Sequence, residues 1–220
     1  MNNPLEWQQR WQQQKIGWHQ NKVSPLLIQY FEQLKLPKKA VIFAPLCGKS
    51  IDMLWLVQQG YQVIGVEISE LAIQTFFEEA NIISEKQNIL ELTCWQAENI
   101  QIYQADFFDL TKQHLKQVQA VFDRAALVAL PNSEQRGRKD YITHLQNELP
   151  KQTKTLLVTL DYEQNLMSGP PFAVSNQEID QLFKFSEQIL TLSKQEIIEQ
   201  EIGFKDRGLD SLIERLYLID

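Results

Sequence analysis

The spacing of apolar and polar positions changes several times along the chain, and each change marks an element. Ala40, Val41, Ile42 and Phe43 form an unbroken apolar run, which is what a parallel strand covered by helices on both faces requires. From Ser50 the spacing turns helical: Met53, Leu54, Leu56 and Val57 crowd one side, Asp52 sits in the first turn where the dipole favours an anion, and Gly60 ends the helix. Gln62 to Val66 is a second apolar strand, closed by Glu67. Ser69 is placed to cap a helix whose Ile73, Phe76, Phe77 and Ala80 fall at i, i+3, i+4 and i+7.

Further strands follow at Asn99 to Tyr103, Ala120 to Asp123, Thr155 to Leu160, about Gln188 to Glu199 and Ser211 to Ile219, which makes seven. Between them a helix runs to Leu149 with Tyr141, Leu145 and Leu149 on one stripe. Ser175-Asn-Gln-Glu178 reads as a capping box with Val174 and Ile179 as its hydrophobic staple. Two short helices, Pro4 to Gln14 and Ser24 to Leu34, precede the sheet, and Trp7 and Trp11 share one face of the first. Glu85 to Glu98 is too long for a simple connection, and its Leu92, Cys94 and Trp95 are too apolar for free solvent; it is expected as a local insertion packed on the domain. Strands alternating with helices give an α/β fold.

The stretch from Ala40 to Ser69 carries chemistry. In a right-handed crossover its first turn and the end of its second strand lie side by side at the carboxyl edge of the sheet, where ligands of open α/β sheets bind. A carboxylate about 20 residues beyond the glycine turn is placed to accept hydrogen bonds from ribose hydroxyls, and Glu67 is that carboxylate. The turn, Pro45-Leu46-Cys47-Gly48-Lys49, has one glycine where a pyrophosphate needs three. A ligand with ribose and no pyrophosphate fits better, and S-adenosylmethionine is one. Gly48-Lys49-Ser50 is also the tail of a phosphate-binding loop, but the glycine required five positions earlier is Phe43. The plainer alternative is a structural βαβ unit with Glu67 as a solvated strand end.

Composition narrows the classes. The 220 residues suffice for one α/β domain with a full core, and no apolar run approaches a membrane span. A net charge of −7 argues against a nucleic-acid partner. Cys47 and Cys94 make no disulfide scaffold; His19, His114 and His144 are scattered, and no group has metal-ligand spacing. The start, MNNPLEWQQRW, lacks a secretory signal pattern, so a soluble, cytoplasmic protein is expected, and a monomer with it.

Pro45-Leu-Cys-Gly-Lys-Ser-Ile-Asp-Met-Leu-Trp-Leu56, with Gly65-Val-Glu-Ile-Ser69 behind it, resembles the glycine-loop region of the thiopurine S-methyltransferase family, bacterial type. Arg10-Trp11 with Ile16-Gly-Trp-His19, Asp123-Arg124-Ala-Ala-Leu-Val-Ala-Leu-Pro131 and Gly169-Pro-Pro-Phe172 resemble the family as well, so the likeness spans Arg10 to Leu218. It implies a single Rossmann-like class I methyltransferase domain over 1–220. An N-terminal helical cover would occupy 1–36 and the core 37–220, with a seven-stranded mixed sheet, helices on both faces and the last strand antiparallel between its neighbours. It further implies binding of S-adenosylmethionine, with S-adenosylhomocysteine as product. The acceptor would be a small thiol or thiopurine, with inorganic selenium or tellurium species as the rival.

By the same resemblance Trp11, Leu46, Glu67 and Arg124 contact the cofactor, with Asp106 and Phe107 at the adenine. Trp18 and Arg124 stand near the acceptor, and Arg124 orients the reaction without a dedicated base. Read from the residues alone, Asp106 is equally a helix N-cap, Phe107 core packing, and Arg124 the partner of Asp123 in a turn-fixing salt bridge. Two departures concern the acceptor side: Trp18 stands where the family usually has Phe, and Gly203 stands near where mammalian relatives carry a substrate-contacting arginine, in the loop Gly203 to Gly208.

Overall fold

The computed structural model describes residues 4–220, and one continuous nine-stranded sheet organises them. In chain order its strands are β1 (Val41–Ala44), β2 (Gln62–Glu67), β3 (Glu85–Ile89), β4 (Leu92–Ala97), β5 (Ile100–Gln104), β6 (Val118–Asp123), β7 (Lys154–Asp161), β8 (Ile189–Glu196) and β9 (Ile213–Ile219). The helices are α1 (Pro4–Gln12), α2 (Pro25–Tyr30), α3 (Asp52–Gln58), α4 (Glu70–Glu79), α5 (Lys112–Leu115), α6 (Arg138–Glu148), α7 (Asn176–Leu182) and α8 (Ile202–Lys205).

Strand order is β3-β4-β5-β2-β1-β6-β7-β9-β8. Pairs from β5 through β7 are parallel, while β9 runs antiparallel to both β7 and β8, as the resemblance implied for the last strand. The order reverses between β1 and β6, which puts the switch point, and with it the crevice for a ligand, at the carboxyl ends of β1, β2 and β6.

Alternation along the strands divides two cores. Phe43, Ile64, Val66, Val121, Leu157 and Tyr217 face the layer of α5, α6 and α7. Ile42, Ala44, Val63, Phe122, Val158 and Leu216 face α2, α3 and α4. Each central strand is therefore apolar on both faces, which is why β1 and β2 read as unbroken apolar runs.

The expected seven strands become nine because the insertion folds as the hairpin of β3 and β4. That hairpin pairs antiparallel with β5 and extends the sheet edge. Its inner strand explains the apolar residues: Cys94 and Trp95 are buried on opposite faces, Trp95 stacking on Phe77 with its indole N–H donating to Gln104 at 3.0 Å. The outer strand, Glu85-Lys-Gln-Asn-Ile89, is almost wholly exposed. A charged and polar edge of this kind discourages pairing with another chain.

Ser69 and Ser175 cap where the sequence placed them, and Ser24 proves to be a cap as well. Ser24, Ser69 and Ser175 each accept an N–H from three residues on. The Ser175 box is only half formed, because Glu178 turns away to hold the guanidinium of Arg138 at 2.7 and 2.9 Å. Arg138 is 2 % exposed, so this pair clamps α6 to α7 in the interior.

The loop before α6 is constrained at Gly137. A Cβ there would meet Ser133 O, Pro131 O and Ser133 N at 2.6, 2.8 and 2.9 Å, all backbone atoms that have no side-chain freedom to yield. Gly137→Ala is expected to destabilise the fold by about 1 to 3 kcal/mol, the usual range for forced overpacking. A urea midpoint unchanged from wild type would show that the loop can move aside.

Candidate active site

The turn after β1 is pinned across the end of β2. Leu46 and Gly48 take positive φ values of 45° and 51°, and Cys47 N donates to Val66 O at 2.9 Å. The Cys47 side chain rests on Gly65, where a Cβ would meet its Sγ at 2.8 Å. Gly65 is thus the strand glycine that lets the turn lie close to β2.

Glu67 ends β2 and is 6 % exposed. Its Oε2 accepts from Gly48 N at 3.0 Å and its Oε1 from Ser69 N at 2.8 Å, so one carboxylate ties the glycine turn to the start of α4. Burial pushes its pKa from 4.5 to about 7, against the opposing effect of the Ser69, Gly48 and Ile68 amides. Each carboxylate oxygen has room for about two donors, and one amide on each leaves acceptor capacity for the hydroxyls of a ligand.

The N-terminal segment covers this turn. A Cβ on Gly48 would meet the Trp11 ring at 3.0 Å, and Trp11 is 5 % exposed. Trp18 packs edge-on against both Trp11 and Trp7, with ring centroids 6.0 and 5.2 Å away. The aromatic residues at Trp7, Trp11 and Trp18 therefore form one wall, anchored on the glycine whose amide Glu67 holds.

Beside the turn lies an open cleft bounded by Leu46, Ile68, Asp106, Phe107, Leu130 and Arg136 among others. Asp106 directly follows the sheet at β5. One of its oxygens accepts from Phe108 N at 3.0 Å, and the other pairs with the guanidinium of Arg136, which lies over the Phe108 ring. Phe107 reaches the cleft but is only 3 % exposed, its ring packed on Phe43 and Tyr141. The cap and core roles read from the residues alone are thus present together with a place on the cleft wall.

Arg124 lies on the other side of the turn, and its partner differs from the one expected. Asp123 points inward, its carboxylate accepting from Leu127 N at 3.0 Å and Tyr141 Oη at 2.7 Å, and burial raises its pKa to about 6. Ala125, with φ 69°, then turns the chain, and Arg124 pairs with Asp52 of α3 at 3.3 Å. Asp52 is itself held by Ser24 N at 2.7 Å and Ser50 Oγ at 3.2 Å. A small second recess is bounded by Ser50, Asp52, Phe122 and Arg124.

The structure therefore gathers Trp11, Leu46 and Glu67 at the turn and places Asp106 and Phe107 at the cleft. Trp18 is joined to this group through Trp11, and Arg124 stands on the opposite flank. Asp52 and Arg136 belong to the constellation as well. The sequence signalled Asp52 only as a first-turn acid, and nothing in the Ser133 to Gly137 loop marked Arg136. In the loop Gly203 to Gly208 the basic residues serve local contacts: Lys205 pairs with Glu199, and Arg207 donates to the Met167 sulfur and lies over Phe204. Lys49 is likewise engaged, by Glu79 at 2.6 Å.

The model of the family described as thiopurine S-methyltransferase matches residues 2–220. The chain belongs to that family. A thiopurine S-methyltransferase of Nitrosospira multiformis is 43 % identical over 218 residues, covering 97 % of this chain and 96 % of that one. One of Shewanella oneidensis is 42 % identical over 216 residues, with 98 % of each covered. Among solved structures, an S-adenosylmethionine-dependent methyltransferase of Anabaena variabilis aligns with a TM-score of 0.68 at 15 % identity, over 100 % of this chain and 95 % of that one. A 1,6-didemethyltoxoflavin N1-methyltransferase of Burkholderia thailandensis, bound to S-adenosylhomocysteine, aligns at 0.63 and 12 %, over 99 % and 87 %. At those identities the structural likeness speaks for the fold alone.

The raised pKa of Glu67 makes a stability prediction. Its proton is held more tightly in the folded chain than in the unfolded one, so the stabilisation linked to it is complete below about pH 4.5 and is lost as pH rises through about 7. Measured against Glu67→Gln, which does not titrate, the wild type should lose on the order of 3 kcal/mol across that window. Urea denaturation at a series of pH values checks it, and a difference that stays flat from pH 4 to 8 would mean an ordinary carboxylate.

Proposed function

We propose that this thiopurine S-methyltransferase family member transfers the methyl group of S-adenosylmethionine to the sulfur of a small thiol or thiopurine. The observation that carries the reading is the buried Glu67 carboxylate, holding the amides of Gly48 and Ser69 beneath Trp11 with acceptor capacity to spare. The residues present suit an adenosine ligand with no pyrophosphate: an acid at the end of β2 for ribose hydroxyls, a one-glycine turn, and an apolar cleft carrying a carboxylate at Asp106. Family membership supports the same donor and acceptor classes.

In this reading Glu67 holds the ribose, Leu46 and Phe107 line the adenosine cleft with Asp106 as its polar group, and Trp11 closes the turn. When bound, the donor supplies a methyl group already activated by sulfonium charge. What remains for the chain is alignment and exclusion of water. Trp11 and Trp18 form the wall that excludes water, and Arg124, steadied by Asp52, orients the ligands from the opposite flank. The reading extends to a monomer acting in the cytoplasm on a free small molecule and not on nucleic acid; the net charge of −7 supports the last point.

Calorimetry with S-adenosylhomocysteine, without metal, should show binding, and Glu67→Ala should weaken it by about 1 to 3 kcal/mol as its donors lose their partner. Binding of ATP with magnesium in place of S-adenosylhomocysteine would overturn the reading. Arg124→Lys keeps a cation beside Asp52 but loses the planar fork, and should lower kcat/KM on the order of 10²-fold with little change in melting temperature. Turnover compared on a thiopurine, selenite and a simple thiol assigns the acceptor class, and a preference for selenite would move it away from thiols.

A further inference from the structure

Two carboxylates lie in the field of Arg124, and only one of them touches it. Asp52 is fully engaged, with Ser24 N, Ser50 Oγ and the Arg124 guanidinium on its two oxygens. Glu214 lies within the electrostatic reach of the same guanidinium, yet among the described residues its carboxylate accepts no hydrogen bond. One acid is a strut. The other has no structural task.

Its position follows from register. β9 runs antiparallel to β7, so its first residues stand at the carboxyl edge of the parallel strands, and Glu214 pairs with Leu160 near the end of β7. Alternation places Glu214 on the same face as Leu216 and Leu218, which pack with Phe122 and Met53. Arg124 follows Phe122 by two residues and turns to Asp52 on that face. Glu214 thus stands at the carboxyl edge of the sheet, half-buried, on the face where Arg124 and Asp52 border the small second recess without Glu214 lining it.

We propose that Glu214 is the proton acceptor for neutral thiol acceptors in this site. The inference rests on the methyl-transfer reading above. The acceptor's S–H proton passes to the Glu214 carboxylate as the sulfur takes the methyl carbon. The new C–S bond forms while the donor's sulfonium C–S bond breaks, leaving a neutral thioether on each side, and Glu214 then releases the proton to solvent. Arg124 beside the sulfur favours its anionic form. Partial burial, opposed by Arg124 and aided by Glu201, lifts the Glu214 pKa above its ordinary value, and a base poised nearer the working pH is the more effective one. Acceptors that are already thiolates do not need this step.

His19 is a further proton acceptor in the field of Arg124, but it is hydrogen-bonded to Asn21, and burial together with Lys49 and Arg124 lowers its pKa. The test is therefore a comparison of Glu214→Gln, His19→Gln and wild type on substituted thiophenols that range from ionised to neutral at the assay pH. In Glu214→Gln the neutral members should lose on the order of 10²-fold in kcat/KM, within the range of general-base effects, while the ionised members change little. The affinity for S-adenosylhomocysteine, read by calorimetry, should stay constant.

A second readout needs no turnover. In the complex with S-adenosylhomocysteine, a neutral thiophenol should show thiolate absorbance on binding to wild type and much less on binding to Glu214→Gln. An equal loss across all thiophenols, or a selective loss in His19→Gln but not in Glu214→Gln, overturns the assignment. If wild type methylates none of the sulfur acceptors, the methyl-transfer reading itself fails and takes this one with it.

Discussion

One buried carboxylate sets the geometry of this protein. Glu67 receives an amide from a turn 19 residues earlier and another from the helix start two residues later, so three segments meet on two oxygens. The arrangement places a group that water would hydrate well in an interior that penalises its charge, and its pKa of about 7 records that conflict. Pairing those two amides takes one acceptor position on each oxygen. A buried acid kept at the carboxyl edge of a switch point, with acceptor capacity unspent, makes sense if a ligand with hydroxyl donors completes its shell.

The surrounding packing follows from keeping that carboxylate in place. Gly65 lets the turn approach β2, Gly48 takes the left-handed conformation that aims its amide, and Trp11 fills the space a Cβ would need. α1 therefore covers the site through a contact that only glycine permits at that position. Asp52 performs the matching task on the other flank, where it joins the Ser24 cap, the start of α3 and Arg124. Both acids begin or end an element of the same βαβ unit, so the unit's folding and the site's assembly are one event.

How much of this was legible depended on whether a residue's role was written in local pattern. β1 and β2 announced themselves because burial on both faces forces unbroken apolar runs, and Ser69 and Ser175 because capping is a local interaction. β3 was illegible for the converse reason: as an exposed edge strand, Glu85-Lys-Gln-Asn-Ile89 has no apolar alternation to show, and its partner's Trp95 marked only an insertion packed on the domain, not a strand. Glu67 was legible through its distance from the glycine turn. The partner of Arg124 was not, because chain adjacency pointed to Asp123, whereas the strand end directs consecutive side chains to opposite faces of the sheet. Asp123 turns to Tyr141 and Arg124 to Asp52.

That divergence bears on what the Asp123-Arg124 pair is for. A salt bridge between neighbours would leave both side chains at the surface, where such a pair contributes about 0 to 1 kcal/mol. Here each is assigned a separate structure. Asp123 accepts from Leu127 N and Tyr141 Oη and so fixes α6 behind the cleft, next to the loop that carries Arg136 over Phe108. Arg124 is steadied from α3, on the face that also carries Glu214. The same dipeptide thus braces the cleft wall beside Phe107 with one side chain and the Asp52 flank of the turn with the other. Under the methyl-transfer role proposed for Arg124, substituting Asp123 should therefore disturb ligand affinity through α6 and the cleft, whereas substituting Arg124 should lower turnover, and the two effects separate because the chain divides them at a single strand end.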